Sequence, residues 1–423
     1  MLIDDYQLLA VTNYHLQLLE LEVYGITSSQ EVAYRGVGAI ERGNDSRLSI
    51  MIFTSPNQSF EQERAGEADK IEGGRVIKAQ LTCKMNARDQ LGRWWNDCEI
   101  FITEIINEGP KTTLIAEVDR LLLKVSNDAE SNNHDVNVEV VTVHKGALPF
   151  QITHREPKSF TKSLSFTTPE FNVSIVRGMP CTKIELSHEV AFGRERIGVL
   201  FEALSICSGR VISPLLLSWR EEEFSCLEVF HGESDSNQLP SILDEVSSFN
   251  IENLKRFVNC YLAEFKVAYR ETYAAWHRAY LGSAAGLEIS SLALCTAIEG
   301  VVKYRFTEVA PVTIEVNDEL TRLGEILSNG DAPDWIVNSV LLHLEKIRES
   351  KPTVKKSLKR FALVYGISGK QLSRWESLRN KIAHFDLLED SAEENEKLIK
   401  DYNICLTIFF KLIARSANFG LSK

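Results

Sequence analysis

Paired cysteines are missing from this sequence. Its eight cysteines are spread singly along 423 residues, with no C-x-x-C pair and no cysteine–histidine group at the spacing of zinc ligands. Such a distribution is typical of reduced, mostly buried thiols in a cytosolic protein. It argues against a disulfide framework and against a zinc finger, and we expect no metal site.

A secretory leader and a membrane-spanning stretch are also missing. The first five residues, MLIDD, include two acidic side chains where a signal peptide would carry cationic ones. No apolar run reaches the roughly 18 residues that a transmembrane helix needs. We therefore expect a cytoplasmic protein without a membrane partner.

Two common signs of a bound ligand are absent as well. The formal net charge is −12 at pH 7, which argues against broad, nonspecific coating of nucleic acid but leaves room for a local basic groove. Gly36-Val37-Gly38 resembles the start of a dinucleotide-binding loop. Position 41 is a glutamate, however, and no βαβ pattern surrounds it. We expect no cofactor.

The first half of the sequence is predicted to be β-rich. Short runs of β-branched and aromatic residues recur between polar or glycine-containing breaks. This pattern predicts an antiparallel sandwich or a barrel-like fold, with one helix inside it at 193–207. Strands are predicted at 48–54, 75–83, 99–106, 112–118, 136–143, 171–176, 183–186, 211–219 and 224–230.

The period of the apolar residues changes from two to 3.6 after a polar segment at 232–238, which Pro240 follows. This change predicts a β-rich sensor or regulatory domain at 1–238 and a helical domain at 239–423. Helices with short connections indicate an α-helical bundle, so the predicted fold class is α+β. The predicted helices lie at 251–281, 288–306, 318–328, 334–349, 353–365, from 368 through the motif described below, and at 391–417.

One acidic residue, Glu299, lies inside the apolar helix predicted at 288–306. Two interpretations of its carboxylate stay open. It either orients a catalytic group or lies where the helix meets solvent, and we favour the second.

The strongest basic cluster of this acidic protein lies at 346–360, where seven positive side chains occur within fifteen residues. Most charge runs of this kind are solvated helix faces. The alternative is contact with the phosphate backbone of a nucleic acid. Under that interpretation the predicted RNA-binding residues are Lys351, Lys355, Lys356, Lys359 and Arg360, together with Lys381.

The stretch Arg379-Asn380-Lys381-Ile382-Ala383-His384 places an arginine and a histidine five residues apart. Apolar residues recur at helical spacing through it, which predicts an amphipathic helix. On a straight helix Arg379 and His384 would point about 140° apart. Asn380 and His384, four residues apart, would share a face, so Asn380 is placed to hold the orientation of the imidazole.

These side chains suit metal-free cleavage of RNA, in which the 2′-hydroxyl attacks the adjacent phosphate. A histidine moves protons near neutral pH, and an arginine offers a fixed, fork-shaped positive charge to the phosphorane oxygens. The expected products carry a 2′,3′-cyclic phosphate and a 5′-hydroxyl. The reaction needs a base and an acid, but the motif holds one histidine, so we expect a symmetric dimer that unites two motifs.

The string from Arg379 to Phe385 resembles the R-x4–6-H signature of HEPN domains, over roughly residues 245–423. The resemblance implies a helical bundle that commonly dimerises and acts as a metal-independent endoribonuclease. Arg379 and His384 would be its catalytic pair, and Asn380 would be the supporting polar residue. A strand-rich region followed by such a domain is similar to the layout of ApeA-like anti-phage HEPN proteins. That layout implies an effector of abortive infection, with a phage-derived or protein trigger at the N-terminal domain.

Two other interpretations stay open. The chain is a non-catalytic HEPN interaction module of a regulatory or defence complex if Arg379 and His384 only cap and pack their helix. It is an unrelated regulatory protein if the short motif arose by chance. The intact motif favours the enzyme.

Overall fold

A computed structural model describes the chain as two compact units. The first unit comprises residues 1–236 and 250–259, and the second comprises 237–249 and 260–423. The described residues are 6–10, 15–25, 32–43, 47–56, 75–108, 111–126, 137–143, 163–177, 181–188, 194–220, 224–232, 238–246, 250–267, 270–306, 321–326, 329–330, 333–349, 353–383 and 392–420.

The first unit contains a closed antiparallel barrel, with strand order β1-β2-β3-β6-β5-β4. Along β3, Leu48, Ile50 and Ile52 are fully buried and alternate with outward-facing residues, as the two-residue period of a strand requires. The predicted barrel-like architecture is confirmed. The strands are β1 His15–Gly25, β2 Val32–Arg42, β3 Leu48–Pro56, β4 Arg75–Asp89, β5 Trp94–Glu108 and β6 Lys111–Val118.

Strands β1 and β2, like the strands at 120–126 and 163–167 described below, were absent from the sequence-based prediction. Both β1 and β2 depart from simple alternation. In β1 the pairing register shifts between Leu18 and Leu21, so two exposed residues follow each other there. In β2 two inward-facing positions are glycines. A Cβ at Gly36 would lie 2.0 Å from the carbonyl oxygen of Phe53, so this close approach of β3 requires glycine. The Gly36–Gly38 pair is thus part of a strand rather than a phosphate-binding loop.

A seven-stranded antiparallel sheet completes the first unit, in the order β7-β13-β12-β8-β11-β10-β9. Apolar residues of β7, β12 and β13 share one buried core with the barrel. Helix α1, Arg194–Ser208, follows the prediction within one residue and is buried along most of its length. The strands are β7 Arg120–Ser126, β8 Asn137–Val143, β9 Ser163–Thr167, β10 Asn172–Arg177, β11 Thr182–His188, β12 Leu216–Arg220 and β13 Phe224–Phe230.

The hairpin between β4 and β5 contains a fully buried carboxylate, Asp89. Its oxygens accept hydrogen bonds from the backbone N–H groups of Leu91 (2.9 Å) and Arg93 (3.0 Å), from Trp95 Nε1 (3.0 Å) and from the Tyr6 hydroxyl. Burial, together with the bond to Asp89, raises the pKa of Tyr6 far above its usual range. Four donors therefore compensate the desolvation of one carboxylate.

The second unit is helical, so the predicted order of a strand-rich region and then a helical region is confirmed. One predicted helix, 251–281, is wrong, because two helices with a break around Phe265 and Arg270 occupy that span. The prediction failed because the apolar residues keep helical spacing across the break. Such spacing shows which side of a helix is buried, but it does not show whether one helix continues or a second one begins. The helices after the strands are α2 Ile242–Val246, α3 Ile251–Glu264, α4 Glu271–Gly282, α5 Leu287–Val301, α6 Asp334–Glu349, α7 Val354–Tyr365, α8 Gly369–Ala383 and α9 Ala392–Ser416. Residues 251–259 of α3 belong to the first unit.

Helix α9 lies at the centre of this unit and packs against α5, α8 and α2. The last turn of the predicted helix at 288–306 is a π-helical turn, Val302–Phe306, directly after α5. Across the part of the chain that the structure describes, no helix combines the length and the apolar character needed to cross a membrane. The core of α9 consists of Cys405, Leu406, Ile408, Phe409, Phe410, Leu412 and Ile413.

Candidate functional site

Helix α8 carries the Arg–Asn motif, and its start is set by local sequence. The Ser368 hydroxyl accepts a hydrogen bond from the N–H of Gln371 (3.2 Å), and the Gln371 side chain accepts one from the N–H of Ser368 (2.9 Å). This reciprocal pair is a capping box, which satisfies two backbone groups that a helix start leaves open. Gly366, in the left-handed region at φ 67°, ends the preceding helix α7.

The predicted apolar stripe of α8 is buried, and it orients the motif. Leu372, Trp375, Leu378 and Ile382 each expose 9% or less of their surface, and the helix packs against α5 and α9. Residues on the opposite side of α8 therefore face solvent. Arg379, next to Leu378, keeps 48% of its side chain exposed.

Arg379 is held by a carboxylate of another helix. Its Nε donates to Oε1 of Glu299 on α5 at 2.7 Å, and its Nη1 donates to Oδ1 of Asn380 at 3.3 Å. Glu299 is 32% exposed, so it lies at the surface, as favoured from the sequence, and it also orients the predicted catalytic arginine. A surface ion pair contributes only about 0–1 kcal/mol to stability, so its main consequence is the orientation of the guanidinium.

The arrangement leaves part of the guanidinium available to a ligand. Glu299 occupies the Nε edge and Asn380 contacts Nη1, while Nη2 has no hydrogen-bond partner among the described residues. A guanidinium donates to phosphate oxygens through its N–H groups, and those of Nη2 remain accessible here. His384 follows the last residue of α8 and lies outside the described residues.

Lys381, predicted to bind RNA, lies in an ion pair between α8 and α9. Its Nζ is 2.5 Å from Oε2 of Glu394, and this hydrogen bond lowers the pKa of the Glu394 carboxyl. About two turns earlier on α8, Arg374 pairs with the buried Asp401 of α9 at 3.4 Å. Both pairs join α8 to α9.

The other predicted RNA-binding residues lie on or beside α7. Lys355 pairs with Glu376 of α8 at 2.7 Å, so its charge is partly compensated. Lys356, Lys359 and Arg360 are exposed on the outer side of α7 and form no ion pair with any described residue. Lys351 lies outside the described part of the chain.

The structure thus brings Arg379, Asn380 and Glu299 together, while the cations of α7 lie on a different helix. No sequence pattern marked the acidic partners Glu376 and Glu394, because acidic residues at helix surfaces are common. In the described ranges, no group of three or more histidine, cysteine, aspartate or glutamate side chains is placed to hold a metal ion.

Comparison with known proteins leaves the family open: the chain matches no family model, no curated protein and no solved structure. The site is therefore interpreted from its own geometry and from the motif.

Proposed function

We propose that the helical unit is a metal-independent endoribonuclease of the HEPN type, which cleaves RNA by attack of the 2′-hydroxyl on the adjacent phosphate. Arg379 and His384 form the catalytic pair, and Asn380 supports them. The observation that carries the proposal is the contact between Glu299 and Arg379, which fixes an arginine at the surface without enclosing it.

The fixed guanidinium suits a phosphorane better than it suits a packing role alone. Charge develops on the phosphate oxygens in the transition state, and a donor that is already oriented stabilises this charge without reorganisation. Glu299 meets the guanidinium at Nε and leaves Nη2 open, so the arginine can bind a phosphate while it stays paired. His384 transfers the proton of the 2′-hydroxyl or of the leaving oxygen.

The proposed enzyme works as a homodimer through the helical domain. One motif offers one histidine, and a second chain supplies the second proton-transfer group. The exposed cations Lys356, Lys359 and Arg360 hold the RNA backbone, with further contacts from Lys351, Lys355 and Lys381. The β-rich unit senses a phage-derived or protein trigger, and RNA cleavage in the cytoplasm then aborts the infection.

A non-catalytic HEPN interaction module is the second candidate, and the same contact favours it in a different way. The Glu299–Arg379 pair joins α5 to α8, and an arginine retained for that link alone would occupy the same position. This candidate predicts that the protein cleaves no RNA and that loss of Arg379 changes its stability but leaves the dimer intact.

Incubation of the purified full chain with total RNA in excess EDTA separates the two candidates. We expect cleavage that survives chelation, yields 2′,3′-cyclic phosphate ends, and disappears in both His384→Ala and Arg379→Ala. Lys370→Ala, a change at an exposed residue near the start of α8, serves as the control and should retain activity. Absence of cleavage by the unaltered chain, with a dimer that persists in all variants, would support the interaction module instead.

A further inference from the structure

The outer side of α7 combines two kinds of exposed side chain. Lys356, Lys359 and Arg360 face solvent in its first two turns, and Leu363 and Val364 face solvent in its last turn. Arg360 lies three and four residues before the two aliphatic residues, so cations and apolar groups form one continuous strip. We name these five residues the α7 strip.

The aliphatic end of the α7 strip is unusually open. Leu363 is 87% exposed and Val364 is 72% exposed, and Leu363 is the most exposed large apolar side chain in the described part of the chain. Single exposed apolar residues are common, but two adjacent ones at this exposure lie next to a cationic surface here.

Neither packing nor helix capping accounts for the two residues. The inner side of α7 is engaged. The ring centres of Phe361 and Phe306 lie 4.8 Å apart with their planes tilted, and Arg415 lies 5.1 Å from the ring centre of Tyr365. The apolar contact at the helix end uses Ile367, whose N–H donates to the Ala362 carbonyl at 3.0 Å and whose side chain is buried. Leu363 and Val364 take no part in either arrangement.

We propose that the α7 strip binds an acidic amphipathic helix of a partner protein. Carboxylates on the partner would pair with Lys356, Lys359 and Arg360, and an apolar side chain at one end would cover Leu363 and Val364. An RNA strand uses cations for its phosphates and aromatic or guanidinium planes for its bases, and it would leave the two aliphatic side chains in water. Helix-in-groove partners, in contrast, bury aliphatic anchors at helical spacing.

The effect of such a partner on activity rests on the proposed function. The cations of the α7 strip are the ones proposed to hold RNA, so an acidic partner competes with RNA for them. The partner therefore acts as an inhibitor that masks the substrate-binding surface without touching Arg379.

The test uses the full chain and a fluorescent synthetic helix of about 16 residues, long enough to form four turns. The peptide carries glutamates on the two central turns of one face and leucines on the turn at each end, so its direction does not matter. A second peptide has serine in place of every leucine. An oligouridine of comparable length is the nucleic-acid probe, and anisotropy measures all three.

We expect the leucine peptide to bind about tenfold more tightly than the serine peptide, the difference that burial of a few methylene groups supplies. The double variant Leu363→Ser/Val364→Ser should remove this difference and leave oligouridine binding unchanged. Lys359→Glu/Arg360→Glu should weaken both peptides and the oligouridine. Leu281→Ser/Ile289→Ser, at two other exposed apolar residues of the helical unit, is the matched control.

Three results would overturn the inference: equal binding of the two peptides, no binding of either peptide, or a loss of oligouridine binding in the serine double variant as large as the loss of peptide binding. Conversion of a dimer to a monomer by that variant, measured by light scattering, would assign the α7 strip to a second copy and would also overturn it. An Arg379→Ala chain distinguishes failure of this inference from failure of the proposed nuclease function. That variant should bind the peptide whether or not the unaltered chain cleaves RNA.

Discussion

Nε of Arg379 on α8 lies 2.7 Å from Oε1 of Glu299 on α5, so a residue 80 positions earlier in the chain orients the predicted catalytic arginine. The pair is at the surface, where an ion pair adds little to stability but constrains a side chain that would otherwise sample many rotamers. Its loss should therefore affect chemistry more than folding.

The substitution Glu299→Gln tests this constraint. The amide can still accept a hydrogen bond from Arg379, but the charge attraction is lost, so we expect RNA cleavage to fall about 10- to 100-fold through misplacement of the guanidinium. The free energy of unfolding should change by no more than about 1 kcal/mol. Single-turnover cleavage and chemical denaturation measure the two effects. Glu288→Gln, at an exposed residue of the same helix, should change neither.

The shape of the Arg379 side chain matters as well as its charge. Lysine at this position keeps the charge but has no fork, so it cannot pair with Glu299 and hold a phosphate oxygen in fixed directions. We expect Arg379→Ala to lower the cleavage rate about 100-fold or more and Arg379→Lys to restore only a small part of it. Full activity of the lysine variant would mean that only a positive charge is needed there.

The cations of α7 should contribute unequally to RNA binding. Lys359 is exposed without an acidic partner among the described residues, whereas Lys355 is paired with Glu376 at 2.7 Å. Lys359→Ala should lower the slope of log K against log salt by about 0.7 for single-stranded RNA, and Lys355→Ala should lower it by less. Filter binding at several salt concentrations measures both slopes. Equal slopes would show that the Lys355–Glu376 pair opens when RNA binds.

Stability of the barrel should depend on Asp89. In Asp89→Asn an amide NH₂ group faces donors that now lack an acceptor, so we expect a loss of about 2–4 kcal/mol. Asp97→Asn in the same hairpin is the matched control, because Asp97 is 76% exposed and asparagine also tolerates its positive φ of 52°. Thermal unfolding followed by circular dichroism should separate the two variants clearly, and similar midpoints would contradict the role assigned to the buried carboxylate.

Alkaline pH should weaken the barrel through Cys98. Burial raises the pKa of this thiol to about 11, above the value of an exposed cysteine. Between about pH 9 and pH 11 the unfolded chain loses the proton while the folded chain keeps it, so stability falls as the pH rises. Cys98→Val should reduce that fall by up to about 1.4 kcal/mol per pH unit. An unchanged alkaline slope in denaturant titrations would refute this assignment.

Local patterns predicted much of this fold, and the failures have physical causes. Strand β6 and helix α1 followed from periods of two and 3.6, because buried positions alternate without interruption along β6 and apolar residues recur at helical spacing along α1. Strands β1 and β2 were not predicted, because a register shift interrupts the alternation in β1 and two inward-facing glycines interrupt it in β2. Closure of six strands into a barrel depends on pairing between distant segments, which local pattern does not specify.

The candidate site also has features that the sequence predicted and features that only the structure shows. The spacing of Arg379, Asn380 and His384 is a property of adjacent residues, so a sequence motif can reveal it. The Glu299 contact needs two helices to pack in a particular register, and the sequence left open whether that carboxylate would orient anything. The cations of α7 were visible as a charge cluster, but the pairing of Lys355 with Glu376 was not.

The π-helical turn after α5 affects the position of the candidate site, because it influences how α5 is rotated about its own axis. Glu299 lies three residues before this turn, and Arg305 within the turn is anchored to Glu264 and to the Ser416 carbonyl. A π turn holds one more residue than an α turn, so its return to α geometry would rotate the helix on one side by about 100°. If the α5 side rotated, the Glu299 carboxylate would move away from Arg379. The orientation of the Arg379 guanidinium thus depends on the one extra residue that the π turn adds after α5.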